Sequence, residues 1–212
     1  IPKGVYSRLG HMGETYQMTQ WYPKPAVFDK EGWHPMYYLS QGEFYSEYGS
    51  YDVSISLPKN YIVGATGDLQ NEEERVWMDS LAVLGNQKYA NLEQENEENE
   101  KEDSGVKIVI NTQKNSQKNI EVPKSSSEYK TIRFTQKDVH DFAWFADKRF
   151  NVLKGEVELP NTGKKVETWA LFTNRHEDLW KEAIEYLNDG LYYYSKWNGD
   201  YPYSQCTAVD GA

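Results

Sequence analysis

From position 51 the chain alternates without a fault, with Tyr51, Val53, Ile55 and Leu57 on one side and Asp52, Ser54 and Ser56 on the other. A side-chain period of two belongs to a strand with one buried face; a helix would scatter those four apolar residues around its axis. Pro58-Lys59-Asn60 then marks a turn, and Tyr61-Ile62-Val63-Gly64-Ala65 restarts an extended run. Short strands are also expected over residues 26–28, 37–39, 106–110, 129–134, 139–146 and 152–159, while residues 1–18 show little periodicity. The rings agree with a sheet-rich fold. With 17 Tyr, 7 Trp and 7 Phe, aromatic residues make up 15% of the chain. Such side chains suit a pleated, half-buried surface and are scarce in disordered chains.

Two stretches carry the helical period instead. Over 71–84, Asn71 can cap, Glu72, Glu73 and Glu74 favour a first turn, and Val76, Trp77, Leu81 and Leu84 fall near one face. Over 174–197, Leu179, Ala183, Leu187 and Leu191 form a stripe with Ile184 beside it. Asn174 and Glu177 have capping-box spacing, and Asn198-Gly199 ends the helix ahead of Pro202. Between them, the acidic tract 93–103 (Glu93, Glu95, Glu97, Glu98, Glu100, Glu102, Asp103) has no apolar stripe and lacks the glycine and spacing of a calcium loop. It reads as a solvated loop or frayed helix end, and 111–119 as a polar connection. Lys165–Phe172 alternates with neither face polar throughout, which suggests a strand covered on both sides. Residues 201–209 read as extended. Many strands followed by strand, helix and strand point to an antiparallel β domain over 1–162. The start of an α/β unit is then expected over 163–212, with the break near 160–164.

The chain of 212 residues carries 33 acidic and 23 basic side chains, a net charge of −10. An acidic surface disfavours nucleic acid and anionic lipid. No apolar run approaches the roughly 20 residues of a membrane span. Ile1 in place of Met reads as a processing boundary, no signal peptide is visible, and the compartment stays open. A single cysteine, Cys206, forms no internal disulfide and suits core packing better than nucleophilic chemistry. Four histidines, His11, His34, His140 and His176, include no pair at i, i+4. His176-Glu177 begins like H-E-x-x-H, but Trp180 stands at the fifth position, so no helical zinc pair is expected. His140 followed by Asp141 could be a ligand pair, though a buried His bonded to a neighbouring carboxylate is the better expectation. No catalytic set and no metal site are expected within the chain.

Several segments, in order, resemble the zinc aminopeptidases of the aminopeptidase N and leukotriene hydrolase type, and a bacterial branch of them in particular. Thr19-Gln20-Trp21-Tyr22-Pro23-Lys24-Pro25-Ala26-Val27-Phe28-Asp29 is similar to the family's T-Q-x-E segment. Gly32-Trp33 and Gly42-Glu43-Phe44-Tyr45 follow it. Tyr51-Asp52-Val53-Ser54-Ile55-Ser56-Leu57-Pro58 resembles its Y-D-V-x-I-x-x-P strand, and Val63-Gly64-Ala65-Thr66-Gly67-Asp68-Leu69 the strand and turn after it. Val139-His140-Asp141-Phe142-Ala143-Trp144 resembles a closing strand. The tail, 166–172 with the helix and Tyr201-Pro202-Tyr203, looks like the opening of a thermolysin-like catalytic domain. The acidic tract has no counterpart.

The resemblance implies a β-sandwich or saddle-like N-terminal domain followed by the first strand-helix-strand of that catalytic domain. It implies a parent that hydrolyses N-terminal residues from peptides with zinc. The H-E-x-x-H helix is expected after Ala212, so the chain alone would be inactive and hold no zinc. One role lands inside it: Gln20 would accept a hydrogen bond from the substrate's α-amine. Tyr22 departs from the family's acidic or amide residue and could wall a hydrophobic subsite. Apolar faces of 165–212 would be partly exposed or covered by self-association. The alternative is a non-catalytic module binding peptide or glycan through Trp21, Tyr22, Trp33, Tyr37 and Tyr38.

Overall fold

A computed structural model of the chain describes residues 9–36, 45–102 and 121–211, with only the backbone of 92–102. The strands expected over 37–39 and 106–110 and the connection over 111–119 lie outside the described residues. The described part is mainly β, its sheets almost wholly antiparallel, and none of them closes into a barrel. The chain divides into two compact units, one of Ile1–Glu72, Ser125–Lys148 and Gly211–Ala212, the other of Glu73–Lys124 and Arg149–Asp210.

In the first unit, β1 (Leu9–Met12), β2 (Thr15–Met18), β3 (Val27–Asp29), β4 (Gly32–His34), β5 (Gly49–Pro58), β6 (Ile62–Ala65) and β7 (Asp68–Leu69) come first in chain order. Later come β8 (Tyr129–Val139) and β9 (Trp144–Asp147). They form a sheet of order β1-β2-β9-β6, a sheet β5-β8-β7 and a separate β3-β4 hairpin. The alternation read at 51–57 holds: Ile55 and Leu57 are buried and Asp52, Ser54 and Ser56 exposed. Their buried face meets Ile132 and Phe134 of β8, Val63 and Ala65 of β6 and Ala146 of β9 around the fully buried Phe142. Two sheets thus share one core, the packing of a β-sandwich. Truncating a ring as buried as Phe142 would cost about 3–5 kcal/mol.

The strand expected over 139–146 is interrupted. Val139 ends β8, and the connection to β9 exchanges ladder bonds for side-chain ones. The Phe142 N–H donates to Asp141 Oδ1 at 2.8 Å, the Ala143 N–H to Thr66 Oγ1 at 3.1 Å, and Trp21 Nε1 to the Phe142 carbonyl at 2.9 Å.

In the second unit, α1 is Glu72–Glu102, with Glu72 itself in the first. The helix expected to stop at 84 runs on through the acidic tract, whose backbone is helical as far as Glu102. Asn71 does not cap it; its Oδ1 accepts from the Arg133 N–H of β8 at 2.7 Å. The buried stripe is Met78, Ala82 and Tyr89, with Val76 and Leu84 exposed. Gly85 completes the stripe instead of stopping the helix. A Cβ there would stand 2.1 Å from the Val152 carbonyl oxygen of β10 (Asn151–Glu158), so only glycine permits the approach.

β10 pairs antiparallel with β11 (Lys165–Phe172), which pairs parallel with β12 (Gln205–Val209). The break expected near 160–164 therefore falls at the turn of one hairpin, paired from Asn151↔Phe172 to Glu158↔Lys165. β11 is the central strand, and Val166, Thr168, Trp169, Ala170, Leu171 and Phe172 are all buried, as the two-sided pattern predicted. The single helix expected over 174–197 is broken into a 3-10 turn (Asn174–His176), α2 (Glu177–Trp180) and α3 (Ala183–Asn198). Asn174 accepts from Asn151 Nδ2 at 2.7 Å instead of capping, and Leu179 is 76% exposed because the chain bends before Ala183. From Ala183 onward the stripe holds: Ala183 and Ile184 pack on the cluster of Tyr89, Leu153, Ala170 and Phe172, and Leu187 on the cluster of Leu159, Val166 and Leu191. Gly199 ends α3 at φ 97°, its N–H on the Ser195 carbonyl at 3.0 Å.

Candidate functional site

One polar constellation of the first unit starts from the irregular segment 19–26, which bends at Thr19, Gln20 and Tyr22. Tyr22 and Lys24 each precede a proline, which steers both toward extended backbone. Gln20, Tyr22 and Lys24 all end on one carboxylate, Asp141, in the β8–β9 connection. Gln20 Nε2 donates to Asp141 Oδ2 at 3.2 Å, Tyr22 Oη to Oδ1 at 2.8 Å, and Lys24 Nζ forms an ion pair with Oδ2. With the Phe142 N–H, four donors meet an acceptor that offers about four lone-pair sites. Asp141 is therefore saturated as an acceptor.

Its acceptor-only chemistry orders the neighbours. The Tyr22 hydroxyl hydrogen is committed to Asp141, so the 2.8 Å contact between Tyr22 and Tyr51 must be donated by Tyr51. Burial first, then the bonds to Tyr51 and Asp141, push the Tyr22 phenol well above the ordinary tyrosine range. Tyr22 is thus a neutral donor at every ordinary pH. Lys24 and Asp141 side chains are 15% and 22% exposed, so the ion pair is mostly shielded and stronger than a surface one.

Of the two residues expected to bind substrate, the fold brings Gln20 and Tyr22 to a common partner. Sequence reading missed Lys24 and Tyr51, and it placed Asp141 beside the wrong residue. His140 is exposed and its ring meets Tyr48 at 6.0 Å, while the Asp141 carboxylate turns to Gln20, Tyr22 and Lys24. Positions 20, 22 and 24, each ending in a hydrogen-bonding group and the last two each followed by a proline, were the signal available. Trp21 and Tyr22 are tied into the core and to Asp141, so they do not serve the exposed aromatic platform; Tyr37 and Tyr38 lie outside the described residues.

The histidines do not gather. His11 Nδ1 lies 3.0 Å from the Gly13 carbonyl, and His34 Nε2 lies 2.8 Å from Asp29. His176 Nδ1 sits 2.8 and 2.9 Å from the two oxygens of the buried Asp210. Cys206 packs beside Leu159, Val166 and Tyr201, and burial raises its thiol pKa, which favours the inert form. Among the described residues no group of three or more His, Cys, Asp and Glu could hold a metal ion. Those residues do not fit the zinc implied for the parent, and no step through it is assigned to them. No helix of the described residues is long and apolar enough to cross a membrane.

No family model and no curated protein matches the chain. Among solved structures it is similar to a two-domain M1 zinc metallopeptidase, a mutant crystallised with L-arginine. The identity is 11% and the TM-score 0.38, over 76% of this chain and 26% of that one. The chain thus spans about a quarter of that protein, and a likeness this loose bears no weight on function.

Proposed function

We propose that this chain is the substrate-capping front part of a zinc aminopeptidase, and that Gln20 holds the free α-amine of a peptide. The observation that carries the reading is the Gln20 amide, anchored through its NH2 on Asp141, which leaves its carbonyl oxygen without a hydrogen-bond donor among the described residues. A carbonyl oxygen complements an ammonium N–H. Tyr22, fixed by Asp141 and Tyr51, stands beside it as an uncharged wall. The β-sandwich caps the substrate, and β11, α3 and β12 within 163–212 open the catalytic domain. Zinc, the attacking water and the rest of the reaction belong to the longer protein, so the 212-residue chain alone is inactive. The ordered run of family-like segments, two of which hold Gln20 and Asp141 themselves, supports this reading.

The test is zinc content and hydrolysis of amino-acid arylamides, measured on this chain and on the longer gene product. Zinc and hydrolysis in the longer protein only would agree. Neither in either would leave the binding-module reading. That reading draws on one observation, the exposed Phe28–Trp33 pair across the β3–β4 hairpin, with ring centroids 4.9 Å apart.

A further inference from the structure

We infer that Asp141 is a positioning residue that presets Gln20 as an ammonium acceptor, and that Lys24 keeps Asp141 from competing for the ligand. The inference rests on the amine-site reading above and adds how the site is built. An amide's oxygen and nitrogen are told apart by their partners. Here the partner decides, because an ionised carboxylate only accepts. The Gln20 group 3.2 Å from Asp141 Oδ2 must be the NH2, and the carbonyl oxygen must face away. Reversing the amide would set its oxygen against a carboxylate already holding Tyr22, Lys24 and the Phe142 N–H.

Lys24 has a second effect. An unpaired carboxylate beside Gln20 would itself draw an incoming ammonium, and the ligand would settle on Asp141. With Lys24 paired to it, Asp141 is neutralised and fully bonded. The Gln20 oxygen is then the acceptor left open. The site prefers a primary ammonium such as a peptide's α-amine over a carboxylate, and an acylated amine, which has lost its charge and two of its N–H groups, is rejected.

The experiment follows the 15N-labelled chain by NMR. The Gln20 side-chain NH2 pair is identified by its disappearance in Gln20→Ala. The probe is L-alaninamide at about pH 6.5, below the usual α-amine pKa of about 7.7–8.0, with N-acetyl-L-alaninamide as the control. In the wild-type chain one Gln20 amide proton should be shifted away from free glutamine, and only L-alaninamide should move the pair. Lys24→Met, which leaves Asp141 in place, should keep that anchored proton and bind the probe at least as well. Lys24→Met/Asp141→Asn removes the preset at constant net charge. The amide can then face either way, the anchored shift should be lost, and affinity should fall roughly twofold, as the competent orientation drops to about half.

A purely structural role for Asp141 would change the rest of the spectrum and leave the probe's selectivity alone. Binding in the wild type with equal affinity in the double variant, or a Gln20 NH2 at free-glutamine shifts, would overturn the positioning role alone. Failure of L-alaninamide to bind the wild-type chain would overturn the amine site itself.

Discussion

A Cβ on Gly85 would stand 2.1 Å from the carbonyl oxygen of Val152, closer than any packed pair of atoms allows. Next to it, Asn86 Nδ2 donates to the Lys154 carbonyl at 2.9 Å and Asn86 Oδ1 accepts the Lys154 N–H at 3.3 Å. The helix therefore lies along the outer edge of β10 and satisfies strand groups that would otherwise form an open sheet edge. Gly85→Ala should destabilise the fold by about 1–3 kcal/mol, because overpacking outweighs the gain in helix propensity. Gly190, inside α3, has nothing within 4 Å of the same position. There Gly190→Ala should stabilise by up to about 1 kcal/mol. Urea unfolding of the two variants checks this; shifts of the same sign would contradict the contact.

The acid side of the stability profile should owe part of its shape to Glu14. The Tyr61 hydroxyl, at 2.6 Å from Oε2, and then Lys148 hold the Glu14 carboxyl below its ordinary range. Lys148 is itself 1% exposed and 3.0 Å from Glu14. A depressed carboxyl contributes stability above the unfolded pKa of about 4.3 and loses it as pH falls through the lower folded value. Thermal unfolding followed from neutral to acid pH should show Glu14→Gln less stable than wild type at neutral pH and converging with it as pH falls through the lowered folded value. Parallel curves would show that Glu14 is not the group responsible.

Tyr186, Tyr193 and Trp197 recur at helical spacing on α3 and are exposed, Trp197 at 71%. The Tyr193 and Trp197 rings lie 5.8 Å apart. A contiguous exposed aromatic face of this kind favours association. Sedimentation of the chain should show a concentration-dependent larger species that Tyr193→Ser/Trp197→Ser removes. A monomer at all concentrations would rule this face out as a contact.

Much of the fold was legible in residues whose own period matched their element. β5 alternates on a surface with one wet face, and β11 reads as apolar on both sides because it is the central strand. The β1–β2 hairpin was not legible, since its strands are four residues each and most of their side chains are half-buried, so no alternation marks them. α1 was cut short because hydrophobicity cannot register a glycine that belongs to the buried stripe. Gln20 and Tyr22 were visible as a pair, but the residue that joins them lies 121 and 119 positions along the chain. A contact at that range depends on how the two sheets close around Phe142, which no local pattern encodes.

The most direct test of the amine site uses the longer protein proposed above. Peptides with a free N-terminus are compared with their N-acetylated forms, in wild type and in Gln20→Ala. The account predicts hydrolysis of the free peptides only, with kcat/KM falling roughly tenfold or more in Gln20→Ala, the cost of one charge-assisted hydrogen bond. Equal hydrolysis of acetylated peptides, or a Gln20→Ala variant as active as wild type, would contradict it.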